Sequence, residues 1–169
     1  VVTNFDCYNI GGMNIPAGTA SIVVADSENM VFDGCDINYT HRGPNLSDGH
    51  QYDGDGFDFE GGVAPSGGYQ TNITLKNCSI LNSDGAGIMV YDNNGSGPSI
   101  NTIIDHVTVT NFGLTPGEPY SGIHFSAGTT GTLNYLTLNR NILANPFFSG
   151  NLNGSQLPIG FTISNYTHN

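Results

Sequence analysis

Positive charge is the first thing this sequence lacks: Lys76, Arg42 and Arg140 are its only lysine and arginine residues, against fourteen Asp and Glu, for a formal net charge of -11. A surface so poor in cations offers little to phosphate backbones, so binding to nucleic acid or to an anionic membrane surface is excluded as a main activity. Cysteine is scarce as well. Cys7, Cys35 and Cys78 cannot all pair within one chain, and their spacing fits no zinc motif. No apolar run approaches a membrane span, and no signal peptide heads the chain, so it reads as a mature form or a fragment. No amphipathic helical pattern covers either end. Charged residues make up only 10% of the 169 residues, but the apolar residues are strongly patterned, which argues against disorder.

The pattern is a repeat. Gly87-Ile88-Met89-Val90-Tyr91-Asp92 returns at Gly56 to Gly61, at Gly122 to Ser126 and at Gly160 to Ser164, with a weaker copy at Ser21 to Asp26. Each copy is a small residue followed by alternating apolar and mostly non-apolar positions, the period of a strand with one buried face. Between these copies lies a second motif with apolar residues at both ends of a short interval: Leu75 to Ile80, Ile104 to Val109, Leu138 to Leu143, Phe32 to Ile37 and Phe5 to Ile10. Three short strands per repeat follow, with repeats of unequal length whose slack lies in Gly, Pro, Asn and Ser-rich connections. A solenoid varies its loops in this way while its turns stay in register. The whole chain, 1-169, reads as one domain, either a fragment or an uncapped repeat unit.

Asn72 to Leu81 followed by Asp84-Gly85-Ala86-Gly87-Ile88-Met89-Val90 resembles a turn of the right-handed parallel β-helix superfamily, whose members include pectate lyases and polygalacturonases. The resemblance covers nearly the whole chain and implies an all-β, right-handed, single-stranded parallel β-helix of about five rungs. Its core would be the inward columns Ile22, Phe57, Ile88, Ile123, Phe161 and Val24, Phe59, Val90, Phe125, Ile163. It places a tight turn at Lys76-Asn77 and makes the Gly-led sheet the counterpart of the wall that carries the substrate groove in the enzymes. The enzymes' own motifs are mostly missing. Asp55-Gly56 matches the Asp-Gly part of the polygalacturonase pattern, but Gly85-Ala86 stands where an aspartate pair belongs and Tyr120-Ser121 where a histidine belongs. A lyase base is equally hard to place, because Lys76 and Arg140 map to the wrong edge and Arg42 lies in a loop.

Several residues remain as site candidates. Asp58, Met89, His124 and Thr162 line the outward side of the Gly-led sheet, with Glu60, Tyr91, Ser126 and Ser164 beside them. Asp58 and His124 stand two strands apart, about 10 Å, too far for direct proton exchange but within the span of a sugar ring. With Asp55 they are the catalytic candidates, set against an ordinary solvated surface. Asp53 and Asp84 share a register with Asp55 close by, a set of oxygen ligands that suits Ca2+, set against solvated turn aspartates. Tyr52, Tyr69, Tyr91 and Tyr120 suit a carbohydrate-stacking face or simply cover loops. Cys35 and Cys78 occupy one inward position on consecutive rungs. The preferred reading is two small buried hydrophobes, with a disulfide as the alternative. Asn-X-Ser/Thr sequons at Asn38, Asn45, Asn72, Asn77, Asn94, Asn153 and Asn165 are candidates for glycosylation in an exported chain.

The functional expectation is a non-catalytic extracellular structural or adhesive module, glycosylated and stacked end to end with copies of itself or with further rungs. The alternative is a carbohydrate-active enzyme, a polysaccharide lyase or glycoside hydrolase, or a carbohydrate-binding module.

Overall fold

The computed structural model describes residues 1-10, 20-41, 54-61, 70-92, 99-114, 121-143 and 145-169. These residues form thirteen strands: β1 Val2–Ile10, β2 Ala20–Ala25, β3 Val31–Thr40, β4 Asp55–Gly61, β5 Gln70–Thr71, β6 Thr74–Ser83, β7 Ile88–Asp92, β8 Ser99–Ile100, β9 Thr102–Phe112, β10 Ile123–Phe125, β11 Gly131–Asn139, β12 Phe148–Gly150 and β13 Phe161–His168. Among them no helix is long and apolar enough to cross a membrane. The architecture is all-β, and its strands pair in parallel. One sheet runs β1-β3-β6-β9-β11-β13, a second runs β12-β10-β7-β4-β2, and β5 pairs with β8. Each strand therefore lies beside the equivalent strand of the next repeat, and its hydrogen-bonding partners are non-local in sequence. Neither long sheet closes on itself.

The expected three short strands per repeat are in fact fewer and longer. Two of them merge into one bent strand, because a single left-handed residue turns the chain without ending the pairing. Gly34, Asn77, His106, Tyr135 and Asn165 all have φ between 47° and 74° and stack in one column. Asn77 belongs to the tight turn that the β-helix resemblance implies at Lys76-Asn77. A second left-handed column joins Tyr39, Asn82 and Asn111, and a third joins Asn29, Asn72 and Asn101. Asparagine suits these bends because its short amide tolerates left-handed backbone and can bond locally.

The same amides also tie one repeat to the next. Asn101 Nδ2 donates to Asn72 Oδ1 (2.8 Å), and Asn72 Nδ2 donates to Asn29 Oδ1 (3.0 Å). At the second bend Asn111 Nδ2 donates to Asn82 Oδ1 and Asn82 Nδ2 to Asn38 Oδ1, both at 2.9 Å. Between the sheets lies a continuous apolar core in which Phe57, Phe59, Ile80, Ile88, Val90, Val109, Ile123 and Phe125 are fully buried. Sequence periodicity anticipates most of these side chains.

Glycine leads the second sheet for a steric reason. A Cβ at Gly87 would run into Val109 Cγ1 and come within 2.8 Å of Gly122 O; one at Gly56 would run into Ile80 Cγ2 and come within 2.6 Å of Gly87 O. The corner brings the two sheets so close that only a hydrogen fits.

The register differs from the sequence expectation in three places. Ile123 and Phe125 pair with Phe148 and Gly150, not with Phe161 and Ile163, which instead pair with Gly131 and Leu133 in the six-stranded sheet. Likewise Leu133, not Leu138, pairs with Ile104, and Val2, not Phe5, pairs with Phe32. The three share one cause: apolar pairs recur at the same interval in overlapping registers. Leu133 to Leu138 satisfies the motif as well as Leu138 to Leu143, and burial decides between them. Leu133, Leu136 and Leu138 are fully buried, whereas Ile142 and Leu143 reach solvent. The aromatic pair Phe147 and Phe148 folds back as expected: Phe148 is buried and Phe147 packs against the core.

Cys35 and Cys78 are joined as a disulfide between adjacent strands, with their Cα atoms 4.5 Å apart. This replaces the preferred expectation of two unlinked buried thiols. Parallel pairing puts the two residues side by side on the buried face of one sheet, where little but their sulfurs lies between them. Cys7 is free and half-buried.

Candidate functional site

The outward wall of the five-stranded sheet carries the most varied chemistry. Strand alternation turns Phe57, Ile88, Ile123 and Phe148 inward, so Asp58, Met89, His124 and Ser149 face out in a single column. The register correction puts Ser149, not Thr162, at the end of this column, and Asn151, not Ser164, follows Ser126 in the adjacent one.

Ser149 completes a small polar network that sequence reading missed. Its Oγ lies 3.0 Å from His124 Nδ1 and 2.7 Å from Ser121 Oγ, and Ser121 is itself buried. The only sequence signal is the short run Phe148-Ser149-Gly150. Gly150 has φ +87°, and a Cβ there would run into the Phe125 carbonyl of the neighbouring strand and sit 3.0 Å from His124 Cε1, so the glycine is required first by the backbone beside it and only then by the imidazole. Burial pushes the His124 pKa down, which keeps the ring neutral at neutral pH. The Tyr91 ring stands 6.5 Å from it.

A neutral imidazole beside a hydroxyl is a base next to a nucleophile. Nothing among the described residues bonds a carboxylate to this ring, and Asp58 is two strands away, about 10 Å. The third catalytic candidate, Asp55, is not on this wall. It is buried, and its Oδ1 accepts a 2.6 Å hydrogen bond from the Ala86 backbone N–H of the adjacent strand. Such a bond holds a backbone donor in place between repeats, a structural use of the carboxylate.

The calcium candidates do not converge among the described residues. Asp53 lies outside them, Asp55 is engaged with Ala86, and Asp84 Oδ2 faces His41 Nδ1 at 3.6 Å. No group of three or more His, Cys, Asp or Glu arranged to hold a metal occurs among the described residues. Of the tyrosines proposed for sugar stacking only Tyr91 is described; Tyr52, Tyr69 and Tyr120 lie outside. Lys76 pairs with Asp33 at 3.0 Å. The Asn77 amide, and then Lys76, hold the Asp33 carboxyl below its usual range.

The sequons fall into distinct environments. Asn72, Asn77 and Asn165 commit their Nδ2 groups to Asn29, Asp33 and Asn134 respectively. Asn38 accepts through Oδ1 from Asn82 and donates to none of the described residues. Asn153 is exposed and accepts backbone N–H bonds from Ser155 and Leu157 through Oδ1, and among the described residues its Nδ2 has no acceptor. Asn45 and Asn94 lie outside the described residues.

No protein-family model, no curated protein and no solved structure matches this chain.

Proposed function

We propose that this chain is a right-handed, single-stranded parallel β-helix of about five turns, of the pectate lyase-like type, acting as a non-catalytic structural or adhesive module outside the cell. The observation that carries the reading is the use made of its polar side chains. At the corners, asparagine amides are spent bonding one repeat to the next, and a disulfide joins two repeats through the core. Such interactions favour persistence of the stack over capture of a ligand. Parallel strands joined by crossovers are right-handed in nearly all known cases, which supports the assigned hand. The disulfide favours an oxidising compartment, and of the described sequons Asn153 is the best disposed to receive a glycan.

Each long sheet ends in edge strands, β1 and β13 in one, β2 and β12 in the other. Edges of this kind accept a further parallel strand. In our reading that strand comes from additional turns, supplied either by the same polypeptide or by a second copy stacked end to end. Light scattering across a concentration series, with electron microscopy, tests the assembly: elongated particles that grow with concentration are expected, and a fixed monomer mass throughout would sink it.

A second reading, a carbohydrate-active enzyme or binding module on the outer wall, is favoured by the His124–Ser149–Ser121 network. Incubation with acidic and neutral polysaccharides, followed by assay for reducing ends and unsaturated products, separates the two. Turnover lost in His124→Ala and Asp58→Asn would replace the scaffold reading with the enzyme.

A further inference from the structure

Arg140 follows β11 at the corner that leads to β12, and its guanidinium is strangely placed for so acidic a protein. Nη1 donates to the Asn145 carbonyl at 2.8 Å, and Cζ sits 4.3 Å from the centre of the Phe147 ring. Nε is buried without an acceptor, and no carboxylate lies within 4.0 Å of the guanidinium among the described residues. Eleven of the fourteen acidic residues are among those described, and that none of these eleven pairs with the guanidinium calls for an explanation. Buried donors without acceptors are costly, and a guanidinium that stacks on an aromatic face still presents a planar fork of donors that matches a carboxylate.

Around it the chain builds an aromatic enclosure. Phe147 stacks on His168 with centroids 4.6 Å apart and planes 22° from parallel, and Tyr166 lies 5.1 Å from both Phe148 and His168. With Leu157 on the remaining side, these residues and Arg140 line a cavity of about 340 Å³. That volume falls at the small end of ligand-binding cavities. Tyr166 lines the cavity as a neutral hydroxyl, as any phenol is at neutral pH, and burial pushes its pKa further up to about 12. None of these residues belongs to the outer-wall network described above.

We propose that this cavity binds a carboxylate anion carried on a flat apolar ring, the carboxylate meeting the Arg140 guanidinium and the ring lying among Phe148, Tyr166 and Leu157. A net charge of -11 repels anions at long range, so selection rests on contact. A neutral ring lacks the charge, and a sugar acid lacks the apolar face.

Titration of the 169-residue chain with benzoate, benzamide and glucuronate, followed by NMR, tests this. Millimolar benzoate is expected to shift resonances of Arg140, Tyr166 and His168, with benzamide and glucuronate each at least about tenfold weaker. Arg140→Gln should weaken benzoate by at least about tenfold, the loss of one charge-assisted hydrogen bond. Leu157→Trp fills the cavity from its rim and should exclude benzoate while leaving Arg140 in place, which keeps the proposal testable if the arginine variant does not fold. Equal responses to benzoate and benzamide, unchanged benzoate binding in Leu157→Trp, or no shift at these residues with millimolar benzoate would overturn it.

Discussion

Opening the Cys35–Cys78 bond should lower the stability of the stack by an amount that can be worked out in advance. The two cysteines are 43 residues apart in sequence. A cross-link closing a loop of that length removes unfolded-state entropy worth about 4 kcal/mol at room temperature. Unfolding entropy of about 2.1 cal/mol/K per residue over this chain then converts the loss into a fall in Tm of about 11 °C. Both sulfurs are nearly inaccessible, with Cys35 2% and Cys78 4% exposed, so mild reductant should act only through opening of the fold. A paired Cys35→Ala, Cys78→Ala variant is the cleaner comparison. It loses the cross-link and leaves two small voids, together worth about 1–2 kcal/mol more. Cys7 interferes little, because burial and then the neighbouring Asp6 carboxylate push its thiol pKa up and leave little thiolate to attack the bridge. Thermal melts followed by circular dichroism, with alkylation and intact mass of the unreduced protein, provide the assay. Three alkylated cysteines in the denatured but unreduced protein, or coincident melts for the parent and the alanine pair, would refute the reasoning.

Gly87→Ala should destabilise by about 1–3 kcal/mol, because the added methyl meets both Val109 and the Gly122 carbonyl; a denaturant midpoint equal to that of the parent would mean the corner is looser than described. At Asn72, where φ is 56°, replacement by Ala and by Gly both break the corner ladder, but only Ala adds left-handed strain, so Ala should be the less stable of the two by about 1–2 kcal/mol in urea melts. For His124 the sign follows from its lowered pKa. Below the unfolded value near 6.5, the unfolded chain takes up a proton that the folded chain refuses, so stability should fall as pH drops from that value towards the folded pKa and then level off. His124→Asn should flatten this part of the stability–pH curve, and an unchanged slope would show that the ring is not desolvated. Tyr166 supplies the alkaline counterpart: ultraviolet titration should show one phenol ionising near 12, and Tyr166→Phe should remove that step.

Much of this protein was legible in its order of residues. Alternation after each small residue announced strands with one buried face, and the recurrence of that pattern announced stacked parallel pairing. Phe57, Phe59, Ile88, Val90, Ile123 and Phe125 are core residues on that argument alone, and their burial agrees. The outward column through Asp58, Met89 and His124 follows from the same periodicity, whereas the tight bend at Asn77 was implied by the resemblance to parallel β-helix turns.

Tertiary structure decided what a local pattern cannot. Alternation fixes which side of a strand a residue faces but not which strand it lies beside, and apolar pairs at overlapping intervals left two registers open near Leu138. Burial of a whole strand selected one of them and brought Ser149, not Thr162, to His124. The repeat register already set Cys35 and Cys78 on consecutive turns, but the close approach of the two strands that joins their sulfurs across 43 residues of sequence came from folding. The cavity at Arg140 is likewise a product of folding: a guanidinium, two phenylalanines, a tyrosine and a histidine from separate segments meet at one corner. The physical reason is common to all three. A strand's own residues dictate its two faces, whereas its neighbours are chosen by the packing of everything else.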